Sequence, residues 1–183
     1  YKEKVGTAVV NYAGDYPGVV DGELWYDSTN KDFKYQYANV TAAGSWRTGG
    51  SLNTARDGIG NAGSYTSALA FGGGSKVTIT EKYDGTSWTE VNDLNTARRY
   101  MAGAGVDSTA ALGYSGEAGP GISALTESWN GTNWTAVNAL NAARRFASLG
   151  NGTHTAALCI GGDQDPPRIA LTEQWNGTNW TET

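Results

Sequence analysis

The chain has 183 residues, enough for one or two domains, with 26 Gly, one Cys, one His and a formal charge of −5. A net negative balance argues against nucleic-acid binding through a basic field, and no apolar run approaches the roughly 20 residues needed to cross a bilayer. A lone Cys159 makes no internal disulfide, and a lone His154 cannot gather the several His or Cys ligands of a transition-metal site, so no cofactor or resident metal is expected.

In chain order, residues 1–45 stand outside any repeat and are expected to form a small N-terminal β module. They carry Gly22-Glu23-Leu24-Trp25-Tyr26-Asp27-Ser28 and Phe33-Lys34-Tyr35-Gln36-Tyr37. The chain opens on Tyr1 and has Met101 as its one Met, so a processed product or a piece of a longer chain is expected.

From Leu52 onward one text recurs three times. Leu52-Asn53-Thr54-Ala55-Arg56 returns as Leu94-Asn95-Thr96-Ala97-Arg98 and as Leu140-Asn141-Ala142-Ala143-Arg144. In step with it run Tyr83-Asp84-Gly85-Thr86-Ser87-Trp88, Trp129-Asn130-Gly131-Thr132-Asn133-Trp134 and Trp175-Asn176-Gly177-Thr178-Asn179-Trp180. A period of about 40–50 residues marks stacked supersecondary units, among them propeller blades.

Each unit reads as four short strands. In the second, residues 100–106 lead to a turn at Asp107-Ser108, and residues 109–114 end in Ser115-Gly116, where the other units have Gly72-Gly73 and Gly161-Gly162. A variable loop follows, then Ala124-Leu125-Thr126-Glu127-Ser128-Trp129. The Asn130-Gly131 turn is a strong hairpin signal, and residues 134–137 make the last strand. Gly, Thr and Asn dominate and no stretch keeps a 3.6-residue apolar period, so helix is not expected. Asn130 and Asn176 sit in glycosylation sequons, as do Asn39, Asn133, Asn151 and Asn179. The first unit has Asp84 at the turn instead, so turn chemistry explains the pattern better than a glycan does.

The third strand alternates. Ile79, Glu81 and Tyr83 share one face, as do Leu125, Glu127, Trp129 and Leu171, Glu173, Trp175. A carboxylate on a core face needs a partner, and each unit supplies one Arg. The expected pairs, structural rather than catalytic, join Arg56, Arg98 and Arg144 to Glu81, Glu127 and Glu173. Trp88, Trp134 and Trp180 are assigned to core packing, and Trp46 stands at the same offset before Leu52. Cys159, between Leu158 and Ile160, reads as a buried inert thiol and His154 as a solvated loop residue. Binding specificity is expected where the units differ, in loops 73–77, 117–122 and 163–169. Their candidate residues are Lys76, Glu117, Asp163, Asp165 and Arg168, with 117–121 read as flexible.

Phe71-Gly72-Gly73, Tyr83, Trp88 and Arg98, with Ile160-Gly161-Gly162, Trp175 and Trp180, resemble the kelch repeat. Ser115 departs from the Gly-Gly pair. WD40 has a similar period, but the chain contains no Trp-Asp dipeptide. The resemblance implies an all-β fold with three four-stranded kelch-like propeller blades at about 51–92, 93–138 and 139–183, within an array spanning 46–183. Propellers typically close with about four to eight blades, so further blades or another copy are expected to complete the ring, making a homo-oligomer one expected state.

Thr80-Glu81-Lys82-Tyr83-Asp84-Gly85, Leu94-Asn95-Thr96-Ala97-Arg98-Arg99 and Met101-Ala102-Gly103-Ala104-Gly105 are similar to kelch-type repeats of tailed-phage, especially marine-phage, virion proteins. Residues 22–28, 33–37 and Ser45-Trp46 are similar to a β-hairpin module of phage tail fibres. The resemblance implies a non-enzymatic virion component, part of a tail fibre or similar appendage. Its expected partners are other virion proteins or a host surface glycan or receptor, with no nucleic acid and no membrane insertion. The alternatives are a secreted bacterial carbohydrate-binding or adhesive module and, third, a propeller glycan hydrolase or lyase.

Overall fold

The computed structural model describes residues 10–13, 24–35, 48–147 and 151–183. The chain divides into two compact units, residues 1–47 and 48–183. All regular structure among the described residues is β. Trp46 and the Asn39 sequon lie outside the described residues.

In the first unit, β1 (Val10–Tyr12) runs parallel to β2 (Leu24–Asp27), and β2 pairs antiparallel with β3 (Asp32–Tyr35). The β2–β3 turn is held by Asp27, whose Oδ1 accepts from the amides of Thr29 (2.9 Å) and Asn30 (3.2 Å). Trp25 is buried, and Tyr26 packs on Phe33 with ring centroids 5.1 Å apart.

In the second unit, the first sheet orders β4 (Gly60–Ser64), β5 (Ser67–Phe71), β6 (Thr80–Tyr83) and β7 (Trp88–Val91), all antiparallel. After β8 (Arg98–Arg99), the second sheet joins β9 (Ala102–Asp107), β10 (Ala110–Tyr114), β13 (Thr126–Trp129) and β14 (Trp134–Val137) in the same order. Between β10 and β13 lie β11 (Glu117–Ala118) and β12 (Gly121–Ile122). The third sheet has β15 (Ala157–Ile160), β16 (Thr172–Trp175) and β17 (Trp180–Glu182). Four strands were expected here. A single bridge, Gly152↔Ala157, stands where the first would pair, and residues 148–150 of that segment lie outside the described residues.

The hairpin turns repeat atom for atom. Asp84 Oδ1 accepts from the amides of Thr86 and Ser87, Asn130 from Thr132 and Asn133, and Asn176 from Thr178 and Asn179. The next residue is a left-handed Gly each time, with φ of 98°, 92° and 94° at Gly85, Gly131 and Gly177. Asp and Asn are interchangeable in this turn because either side chain supplies the accepting oxygen. A second fixed turn follows the second strand, where Gly72, Ser115 and Gly161 have φ of 66°, 60° and 62°. Ser115 therefore adopts the left-handed backbone that Gly72 and Gly161 adopt in the other repeats.

Two apolar clusters lie between successive sheets. Leu69 and Phe71 pack against Ala111, Trp129 and Trp134 of the second sheet. Leu112 and Tyr114 pack against Ala157, Cys159, Trp175 and Trp180 of the third. One feature of the expected core face is corrected: Leu125 is 41% exposed. It precedes β13, and its carbonyl is taken by Arg98 Nη1 at 2.6 Å, so the residue serves through its backbone.

Candidate functional site

Each repeat holds one buried ion pair. Arg98 Nη2 meets Glu127 Oε1 at 2.9 Å, and Arg56–Glu81 and Arg144–Glu173 are paired likewise. The pair sits in a wider set of donors. Glu127 Oε2 also accepts from the Asn95 amide (2.8 Å) and Asn95 Nδ2 (2.7 Å), and Oε1 from the Thr96 amide (3.3 Å). Asn53 and Asn141 treat Glu81 and Glu173 the same way. Burial works against the charge of Glu81, but hydrogen bonds from Arg56, Asn53 and Thr54 outweigh it and hold its carboxyl below the ordinary value. With every carboxylate lone pair occupied, this constellation has no oxygen left for proton transfer. The pairs clamp the Leu-Asn segment onto its sheet.

Trp134 and Trp180 are buried and donate through Nε1 to Thr80 and Thr126, both at 3.0 Å. Trp88, their counterpart in the first sheet, is half-buried. Cys159 lies in β15, and burial pushes its thiol up to about 12, so it stays protonated at neutral pH. His154 is half-buried, and its carbonyl accepts from Trp175 Nε1 at 3.2 Å. Among the described residues, no cluster of three His, Cys, Asp or Glu is placed to hold a metal ion.

The variable loops are joined through Glu117 and Arg145. Glu117 Oε1 meets Lys76 Nζ at 2.9 Å and Arg99 Nη2 at 3.3 Å, while Oε2 meets Arg145 Nη1 at 3.2 Å. Arg145 Nη2 continues to Asp163 Oδ2 (3.5 Å) and Asp165 Oδ1 (3.2 Å). The Lys76 ammonium, then Arg99 and Arg145, holds the Glu117 carboxyl down at about 2. Four of the five candidate loop residues, Lys76, Glu117, Asp163 and Asp165, thus belong to one network. Arg168 does not join it through an ion pair. It bridges Asp163 by backbone and borders a cleft of about 400 Å³ with Phe146 and Gly162.

The loop at 117–122 is not the flexible segment expected from its Gly and Pro content. β11 pairs with β12 and, on its other side, with β8, where Glu117 stands opposite Arg99. Lys76 Nζ also reaches across to the Gly119 carbonyl at 2.6 Å. The backbone ladder and the cations on Glu117 order this loop.

Sequence reasoning missed Arg99 and Arg145 and the aromatics after them. Tyr100 and Phe146 stack with centroids 4.3 Å apart, beneath Arg99 (4.7 Å) and Arg145 (5.4 Å). Their backbones form a ladder: the Tyr100 amide donates to Gly58 O at 2.7 Å and the Phe146 amide to Tyr100 O at 3.2 Å. Gly58, Tyr100 and Phe146 are all left-handed, with φ of 58°, 55° and 53°. A bulky aromatic there costs about 1–2 kcal/mol. A Cβ at Gly58 would lie 2.8 Å from the Tyr100 ring, so Gly there makes room for the stack. Phe146 remains 54% exposed beside an apolar cleft of about 320 Å³ that Ile59, Tyr100 and Met101 also line.

Comparison with protein-family models and with curated proteins finds no match.

Proposed function

We propose that residues 48–183 are an array of kelch-type propeller blades, and that the chain is a non-enzymatic virion component. In this reading it is part of a phage tail fibre or similar appendage, and the array displays a surface for host attachment. The joining of the three variable loops through Glu117 and Arg145 carries this reading. Strands that pack on neighbouring sheets must repeat, whereas Lys76, Glu117 and Asp163–Asp165 differ from unit to unit and yet meet at one place. Strained residues persist where surrounding structure holds them and cluster at ligand sites. Tyr100 and Phe146 are such residues, adjacent to this network.

The surface suits a polar ligand with one apolar face, such as a host surface glycan. Phe146 offers an exposed ring, Arg168 a charged group outside the network, and Asp165 an exposed carboxylate. A secreted bacterial adhesive module would use the same surface, and flanking tail or baseplate genes distinguish the phage reading from it. The direct test is binding of the purified chain to bacterial cells and a glycan panel. Exchanging residues 163–168 for the 73–76 sequence weakens binding and leaves the far-UV spectrum unchanged. Turnover of any glycan on that panel would replace this proposal with the hydrolase or lyase reading.

A further inference from the structure

The sheets repeat an interface, and the outward faces of the first and third sheets carry its unmatched halves. Between the first and second sheets, the Trp134 indole donates to Thr80, and its ring lies 4.9 Å from Phe71. Between the second and third, Trp180 does the same to Thr126 and lies 4.9 Å from Tyr114. A polar rung runs alongside: Asn92 Nδ2 donates to Thr132 O and Asn133 Oδ1, and Asn138 Nδ2 to Thr178 O and Asn179 Oδ1. Leu69, Phe71 and Thr80 are fully buried under this contact, as are Leu112, Tyr114 and Thr126.

Their counterparts in the third sheet are uncovered. Leu158 is 37% exposed, Ile160 41% exposed, and Thr172 half-buried. At the other end, Trp88 occupies the place of Trp134 and Trp180, yet its indole N–H has no acceptor among the described residues. Leu52, the counterpart of buried Leu94 and Leu140, is also half-buried. A cleft of about 350 Å³ opens beside Leu52, Ala68, Ala70 and Trp88. One end therefore has an indole donor with a cleft, and the other a hydroxyl with two exposed aliphatic side chains.

We propose that the Leu158/Ile160/Thr172 face of one copy docks head to tail on the Leu52/Trp88 face of a second copy. Trp88 Nε1 then donates to Thr172 Oγ1 and its ring covers Ile160, repeating the contact the chain already makes twice. Such a contact is heterologous. Two of them close a pair of chains into a ring, as propeller blades close on themselves. The contact rests on repeat geometry and is independent of the attachment reading, so either can fail alone.

Light scattering of the chain at micromolar concentration should give two chain masses. Trp88→Ala and Ile160→Glu each damage both junctions of a closed pair and should each raise Kd on the order of a thousandfold, as expected of a buried anchor lost twice. Thr172→Val, which keeps the side-chain shape and removes the acceptor at both junctions, should raise it about twenty-fivefold. All three substitutions fall on exposed or half-buried side chains, so far-UV spectra stay unchanged. An equimolar mixture of Trp88→Ala and Ile160→Glu should recover a two-chain species, because one intact junction remains between them. A monomeric parent chain overturns the proposal, as does a dimer that survives both substitutions or a mixture that stays monomeric.

Discussion

Glu127 binds three parts of its repeat at once: the Arg98 guanidinium, the Asn95 side chain and the backbone at Asn95 and Thr96. Replacing it by Gln leaves the Arg98 charge buried without its counter-ion, a loss of about 3–5 kcal/mol. Urea unfolding of Glu127→Gln should show that loss as a lower midpoint, and an unchanged midpoint would refute the clamp. Glu117 gives a pH-dependent counterpart at the loop surface. Its carboxyl is depressed to about 2 from an ordinary value near 4.5. A depressed carboxylate contributes stability that is complete above the unfolded value and is lost as pH falls through the folded one. The parent chain should therefore lose more thermal stability than Glu117→Gln as pH drops from about 4.5 to 2. Superimposable pH curves would contradict this. The Arg–Glu pairs were readable because a lone carboxylate recurs between apolar neighbours in each third strand. The Asn contribution was equally present in the repeated Leu-Asn, but Asn in a turn-rich sequence reads as turn chemistry. Arg99 and Arg145 gave no signal, since their partner Glu117 occurs in one repeat and so leaves no period.

At the scale of a strand or turn, legibility follows the hydrogen bonding. The β13–β14 hairpin is legible because Asn130 and Gly131 have fixed duties, an accepting oxygen and a left-handed backbone. Asn130→Asp should change stability by less than about 0.5 kcal/mol, since Asp84 fills the same role in the first repeat. Gly131→Ala should cost about 1–2 kcal/mol, because φ is 92° and the new Cβ would lie 3.0 Å from Thr109 O. Calorimetric melts of the two variants check both, and equal melting temperatures would contradict the turn account. The β11–β12 hairpin was not legible. Gly119 and Pro120 look like a flexible link, and what orders them, pairing to β8 and the cations on Glu117, comes from residues distant in sequence.

For the whole molecule, the repeats dictate stacking sheets with apolar clusters between them, and the loops are what the repeats leave free. The all-β class followed from composition and turn spacing alone. The convergence of loops from different repeats did not, because it depends on how successive sheets turn relative to one another, which no residue pattern within one unit encodes. The Tyr100–Phe146 stack has the same origin: its rings belong to adjacent repeats and meet only after the sheets pack. In the proposed division of labour, strands build the array while loops 73–77, 117–122 and 163–169 do the binding. It is tested most directly by quantitative binding to host cells or glycans of a variant in which all three loops are exchanged. Binding should be lost while the melting transition stays cooperative. Binding at the parent level in that variant would show the loops to be filler on a structural spacer.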